Sequence, residues 1–207
     1  MRSTRYYAIS VFAAASGCRR GELLALRWPD INPQTGVVTI AKSVSQTKEG
    51  LEIKVTKTRK TQFVRVDETT LHVLMEHRTQ IEQEKRLFGS DYHDNDLVFP
   101  TPHGDYCMPS QVTGRISKFM QQAGVDASLR SLRHFNASMM SRNSVPLPVI
   151  SKRLGHANSQ ITLNTCSHAM KHDEAPPVTH GLGDKRQQTS LPEPENSMSP
   201  KARRSGC

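Results

Sequence analysis

Apolar positions recur at helical spacing along most of the chain up to residue 172, and one early stretch switches to β-like composition. Arg5 to Gly17 is Ala-rich and apolar and predicts a first helix. Arg20 to Arg27, carrying Leu23, Leu24 and Leu26, predicts a second that stops at Trp28-Pro29. Asn32-Pro33-Gln34-Thr35-Gly36 has turn chemistry. Three runs rich in Val, Ile and Thr follow: Val37 to Ser43, Leu51 to Thr56 and Phe63 to Val66, separated by Gly50 and the basic Lys57-Thr58-Arg59-Lys60. Glu68 to Phe88 returns to helical spacing at Leu71, Leu74, Met75, Ile81 and Leu87. Leu97-Val98-Phe99-Pro100 reads as a short buried strand or turn, and further helices are expected at 109–123, 129–143, 146–154 and 158–169. The fold class that follows is mainly α with a small three-stranded antiparallel β-sheet, an α+β domain.

From residue 173 the periodicity stops and Pro, Ser, Gly and charge take over, as in Leu191-Pro192-Glu193-Pro194-Glu195. The 207 residues therefore divide into a folded domain, 1–172, and a disordered tail, 173–207. Charge sharpens the division. The net charge is +9, and residues 1–172 hold 23 of the 28 Lys and Arg but 14 of the 19 Asp and Glu, so the whole excess lies on the part that folds. Such a surface suits a polyanion such as nucleic acid, with a solvated basic face as the plain alternative. The longest apolar run, Val11 to Ala15, is far below the roughly 18–20 residues of a membrane span, and no signal-like segment opens the chain. A cytoplasmic protein with no membrane partner is expected. Four cysteines at 18, 107, 166 and 207 form no CxxC pair, which disfavours a disulfide scaffold or a zinc site.

Three basic clusters lie beside apolar helix faces. They are Gly17-Cys18-Arg19-Arg20-Gly21-Glu22-Leu23-Leu24, then Leu129-Arg130-Ser131-Leu132-Arg133-His134, then Leu154-Gly155-His156-Ala157 with Cys166 and His168 further on. An arginine beside a buried face is costly unless it meets an anion, and its planar fork matches phosphate through two parallel hydrogen bonds. Each cluster also has a purely structural reading. Arg19 or Arg20 could pair with Glu22, Arg133 could close a salt bridge, and His156 after Gly155 could cap a helix.

Taken together, the clusters resemble the catalytic domain of tyrosine recombinases, the phage integrase family, from about Ser16 to His168. The resemblance implies that family's mainly helical fold and catalytic roles for Arg19, Lys57, Arg133 and His156. Two positions depart from the family pattern. Arg130 stands where the His of the His-x-x-Arg box is usual; it can donate to phosphate but cannot accept a proton near neutral pH. Cys166 stands where the family's box carries its nucleophilic tyrosine, in Thr165-Cys166-Ser167-His168.

The implied reaction is a metal-free, cofactor-free DNA strand cleavage and rejoining through a covalent 3′-phospho-protein intermediate. Arg19, Arg133, Arg130 and His156 would stabilise the transferring phosphoryl group, and Lys57 would protonate the leaving oxygen. The implied partners are double-stranded DNA and further copies of the protein, a tetrameric synapse in the family. The implied setting is a bacterial or phage-encoded, nucleoid-associated protein of a mobile element, with the family's N-terminal DNA-clamping domain absent from this chain. A cysteine thiol is acidic enough to attack but several bond lengths shorter than a tyrosine, so cleavage is expected to be impaired. The alternative is a catalytically inactive remnant that only binds DNA. Tyr106 could in principle replace the nucleophile, although its surroundings do not match the family's box.

Overall fold

A computed structural model describes residues 5–55 and 61–155. Six helices and four strands are described: α1 (Arg5–Ser16), α2 (Arg20–Leu24), β1 (Val37–Ile40), β2 (Lys42–Gln46), β3 (Leu51–Val55), β4 (Gln62–Arg65), α3 (Glu68–Phe88), α4 (Pro109–Gln122), α5 (Leu129–Arg142) and α6 (Leu147–Leu154). The helix expected at 158–169 and the tail from 173 lie outside the described residues.

Helix α1 buries Ala8, Ile9, Phe12, Ala13 and Ser16, one face at helical spacing. Its two serines stay satisfied by donating to carbonyls one turn back, Ser10 to Tyr6 at 2.7 Å and Ser16 to Phe12 at 2.6 Å. Phe12 meets Phe99 at 5.9 Å between ring centroids, and His77 of α3 stacks on the other part of that cluster at 5.5 Å. The core thus joins α1, α2, α3, α4, the sheets and the 97–99 segment, while Ala137, Ile150 and Leu154 form a smaller cluster between α5 and α6. Helix α3 has the span that its periodicity predicts. Asp67 caps it by accepting from the Thr70 amide at 2.7 Å, and Lys85 and Arg86 occupy its last turn.

Two details differ from the sequence expectation, and both have a physical cause. The second helix ends at Leu24 rather than Arg27, because residues 26–28 are drawn into pairing with residues 96–98, of which Leu97 and Val98 are buried. The Val98 amide donates to Leu26 O at 2.9 Å, Trp28 N to Asp96 O at 2.9 Å, and Arg27 bridges Leu97. The strands form two two-stranded antiparallel sheets instead of one of three strands. The first β-run breaks at Ala41: β1 pairs with β4 (Val37↔Arg65 to Ile40↔Gln62), and β2 pairs with β3 (Lys42↔Val55 to Gln46↔Leu51). Val38, Ile40 and Val64 hold the first pair in the core. The second is a hairpin anchored by Val44 against α2, where Gly21 leaves room; a Cβ there would lie 2.4 Å from Val44 O.

His77 sets a pH limit on this core. Its Nε2 donates to Val98 O at 2.8 Å, and burial, reinforced by the charge of Arg5, pushes its pKa down to about 4. The folded protein therefore takes up this proton only near pH 4, whereas the unfolded chain takes it up near pH 6.5, so acid favours unfolding across that window. Urea unfolding is expected to lose up to about 3 kcal/mol between pH 6.5 and 4 from this residue. The slope should flatten in His77→Phe; an unchanged slope in that variant would contradict the assignment.

Candidate active site

The site is assembled where two helices end. Helix α1 stops at Gly17, whose φ of +67° is the left-handed conformation glycine adopts readily, with its amide donating to Ala13 O at 3.0 Å. No side chain would fit there either, since a Cβ on Gly17 would lie 2.7 Å from Leu154 Cδ2 and 2.8 Å from Asn136 Oδ1. Helix α6 ends against the same point, closed by left-handed Gly155. Both helix ends leave backbone carbonyls without helical partners and with partial negative charge.

Arginine side chains fill those acceptors. Arg133 of α5 donates from Nη1 to Gly17 O and from Nη2 to Leu154 O, each at 2.6 Å. Arg19, which caps the start of α2, donates from Nη2 to Gly155 O at 2.6 Å and from Nη1 to Glu22 Oε1 at 2.8 Å. The other oxygen of buried Glu22 accepts the Arg19 amide at 2.9 Å. Two guanidinium groups far apart in sequence thus occupy adjacent carbonyls, and Arg19 also pairs with the Glu22 carboxylate. The Arg133 pKa is pushed down to about 10 by burial and then by the neighbouring charge of Arg19. It stays charged at neutral pH, in a place where a further anion relieves the repulsion. The Arg19 side chain is 39% exposed and so open to a ligand.

The other sequence candidates are placed as follows. Arg130 lies on the first turn of α5, three residues before Arg133, and is exposed. Lys57, His156 and Cys166 lie outside the described residues; Val55 and Gly155 are the described positions nearest to the first two along the chain. The structural reading of Arg19 also holds, since it does pair with Glu22. Arg20 instead reaches Thr113 of α4 at 2.7 Å. The Tyr106 hydroxyl is engaged by Arg27 Nη2 at 3.2 Å. Cys18 is buried beside Arg19, and burial pushes its thiol up to about 12, which leaves it a poor nucleophile.

Three further residues belong to the same junction, and the sequence motifs do not mark them. Asn136 donates from Nδ2 to Ala14 O at 2.8 Å and Ala15 O at 3.0 Å. Arg153 donates from Nη2 to Ala15 O at 3.0 Å and Arg65 O at 2.9 Å. Gln62 packs over Gly155, where a Cβ would fall 1.5 Å from its Nε2. The signal for Asn136 was its position one turn after Arg133, and for Arg153 its place beside the apolar face that ends in Leu154.

The domain is mainly helical with small antiparallel sheets, and arginines from distant boxes meet at two helix ends. Residues 1–172 match the Phage integrase family, and the chain belongs to it. A XerC-like tyrosine recombinase of Caldanaerobacter subterraneus subsp. tengcongensis is 29% identical over 82% of this chain and 47% of its own length. An integrase of Streptomyces ambofaciens is 28% identical over 77% of this chain and 43% of its own. The chain spans about half the length of these relatives. The crystal structure of XerA recombinase shares the fold at a TM-score of 0.64, with 23% identity, covering 82% of this chain and 56% of that one.

Gly17→Ala tests whether the two helix ends depend on this close approach. The left-handed backbone alone should cost about 1–2 kcal/mol, and displacement of Leu154 and Asn136 should add to it. A urea midpoint unchanged from the parent would show that the junction tolerates a side chain there.

Proposed function

We propose that the chain is the catalytic domain of a site-specific DNA recombinase whose Arg19 and Arg133 grip one DNA phosphodiester. The observation that carries this reading is their convergence on the adjacent Leu154 and Gly155 carbonyls, with Arg19 also ion-paired to buried Glu22. Arg130 and His156 add donors to the phosphate, and Lys57 gives a proton to the departing 5′-oxygen. A Tn1549 transposon integrase solved in complex with circular intermediate DNA has the same fold at a TM-score of 0.64, with 15% identity over 81% of this chain and 59% of that one. Double-stranded DNA is the proposed partner, with several copies of the protein assembled on it inside a bacterial cell. Residues 173–207 are proposed to lie beyond the catalytic domain.

In the complete reaction a tyrosine oxygen attacks phosphorus, the bond from phosphorus to the 5′-oxygen breaks, and a 3′-phosphotyrosyl link keeps the strand joined to protein. The charge on the non-bridging oxygens rises as this happens, so fixed cations help the transition state more than the bound substrate. Cys166 at the nucleophile position makes this chain a poor cutter, because a thiol carried on Cβ stops well short of where a phenol oxygen would be. The same residue favours a second reading, a DNA-binding remnant that no longer cuts.

Nicked suicide duplexes from a pool of candidate sites, offered to the chain and to its Cys166→Tyr variant, separate these readings. A covalent adduct that rises strongly in Cys166→Tyr is expected, and an equal yield from both chains would contradict the assigned role of Cys166. In the Cys166→Tyr background, Arg19→Ala or Arg133→Ala should slow adduct formation by about 10²–10³-fold. DNA binding itself should weaken with salt at a slope of about −0.9 per phosphate neutralised; affinity indifferent to salt would argue against both readings.

A further inference from the structure

We infer that Arg153 is a positioning residue that ties strand β4, which follows Lys57 in the chain, to the two helix ends of the site, an assignment that rests on the recombinase reading. A single side chain joins three segments. It leaves α6 one residue before Leu154, and its Nη2 donates to Ala15 O near the end of α1 and to Arg65 O at the end of β4. Ala15 leads within a few residues to Arg19, α6 leads directly to His156, and β4 begins a few residues after Lys57. Each of the three attached segments therefore continues into a different catalytic position.

The link has two points of attachment to β4. Arg153 holds Arg65 at its far end, while Gln62 at its near end lies against Gly155, where even a methyl group would collide with the Gln62 amide. Burial holds the Arg153 guanidinium below the usual arginine range, as expected for a cation withdrawn from water to reach carbonyls. Asn136 shares the Ala15 carbonyl, so α5, α6 and β4 are all fixed to one point on α1. A planar guanidinium suits this task, because it reaches acceptors on separate elements while losing little hydration compared with an ammonium group. Arg153 also differs from Arg19 in donating to backbone of a strand and a helix rather than pairing with a carboxylate. It acts on the phosphate only through the groups it places.

Hydrogen exchange on the full chain and single-turnover adduct formation in Cys166→Tyr test this together, comparing Arg153→Met and Arg153→Lys with the parent. In Arg153→Met, amides of residues 62–66 and 150–155 should exchange about tenfold faster or more, while those of α3 keep their protection. The adduct rate constant should fall by about tenfold or more while the final yield and the DNA dissociation constant stay within about threefold. Arg153→Lys should recover much of the rate. A merely structural role would instead speed exchange everywhere and lower the yield at an unchanged rate constant, and that result overturns the assignment, as does no change at all. If Cys166→Tyr forms no adduct, the recombinase reading fails, and the local exchange pattern alone decides whether Arg153 makes the link.

Discussion

The structure depends on the unpaired carbonyls at the ends of α1 and α6. Any helix leaves such acceptors at its C-terminus, and here two helices deliver them to one point, with Gly17 and Gly155 allowing the approach. Water is excluded from much of that junction, so the acceptors must be met by protein donors. Arg19, Arg133, Arg153 and Asn136 meet them. The same hydrogen bonds that complete the backbone fix the cations in place. Folding and preorganisation of the site are therefore one event, and a guanidinium held this way needs no reorganisation when charge develops on a phosphate.

Electrostatics makes the junction a favourable place for an anion. Burial and mutual repulsion raise the free energy of the paired guanidiniums, and Glu22 offsets only part of that. A phosphate between them would supply the missing counter-charge, and Arg19 is open enough to receive it. Stability away from the junction has a further source. It comes from the apolar cluster around Phe12, Phe99 and Leu74, to which the site is attached through α1.

Much of this was legible in the residues. Periodicity placed α1 and α3 to α6 within one or two residues, because each has one apolar face and a recognisable start or stop, such as Asp67 before α3 or Gly155 after α6. Local signals failed where distant partners decided the outcome. Residues 26–28 left their helix to pair with 96–98, and the first β-run split because its halves found different strands. Motif order singled out Arg19 and Arg133, and the structure brings them together. Arg153, Asn136 and Gln62 were not visible in that way, since their roles come from carbonyls contributed by other elements, which carry no residue-type signature. Lys57, His156 and Cys166 rest on the motifs alone.

The central claim is that Arg19 and Arg133 act as one phosphate-binding unit, and side-chain ¹⁵N NMR of the arginines during titration with a short duplex tests it most directly. The account predicts that the Nε–H signals of Arg19 and Arg133 move together with one dissociation constant, and that Arg133→Lys weakens the response of Arg19. Signals from both that stay fixed while exposed arginines such as Arg115 respond would contradict it.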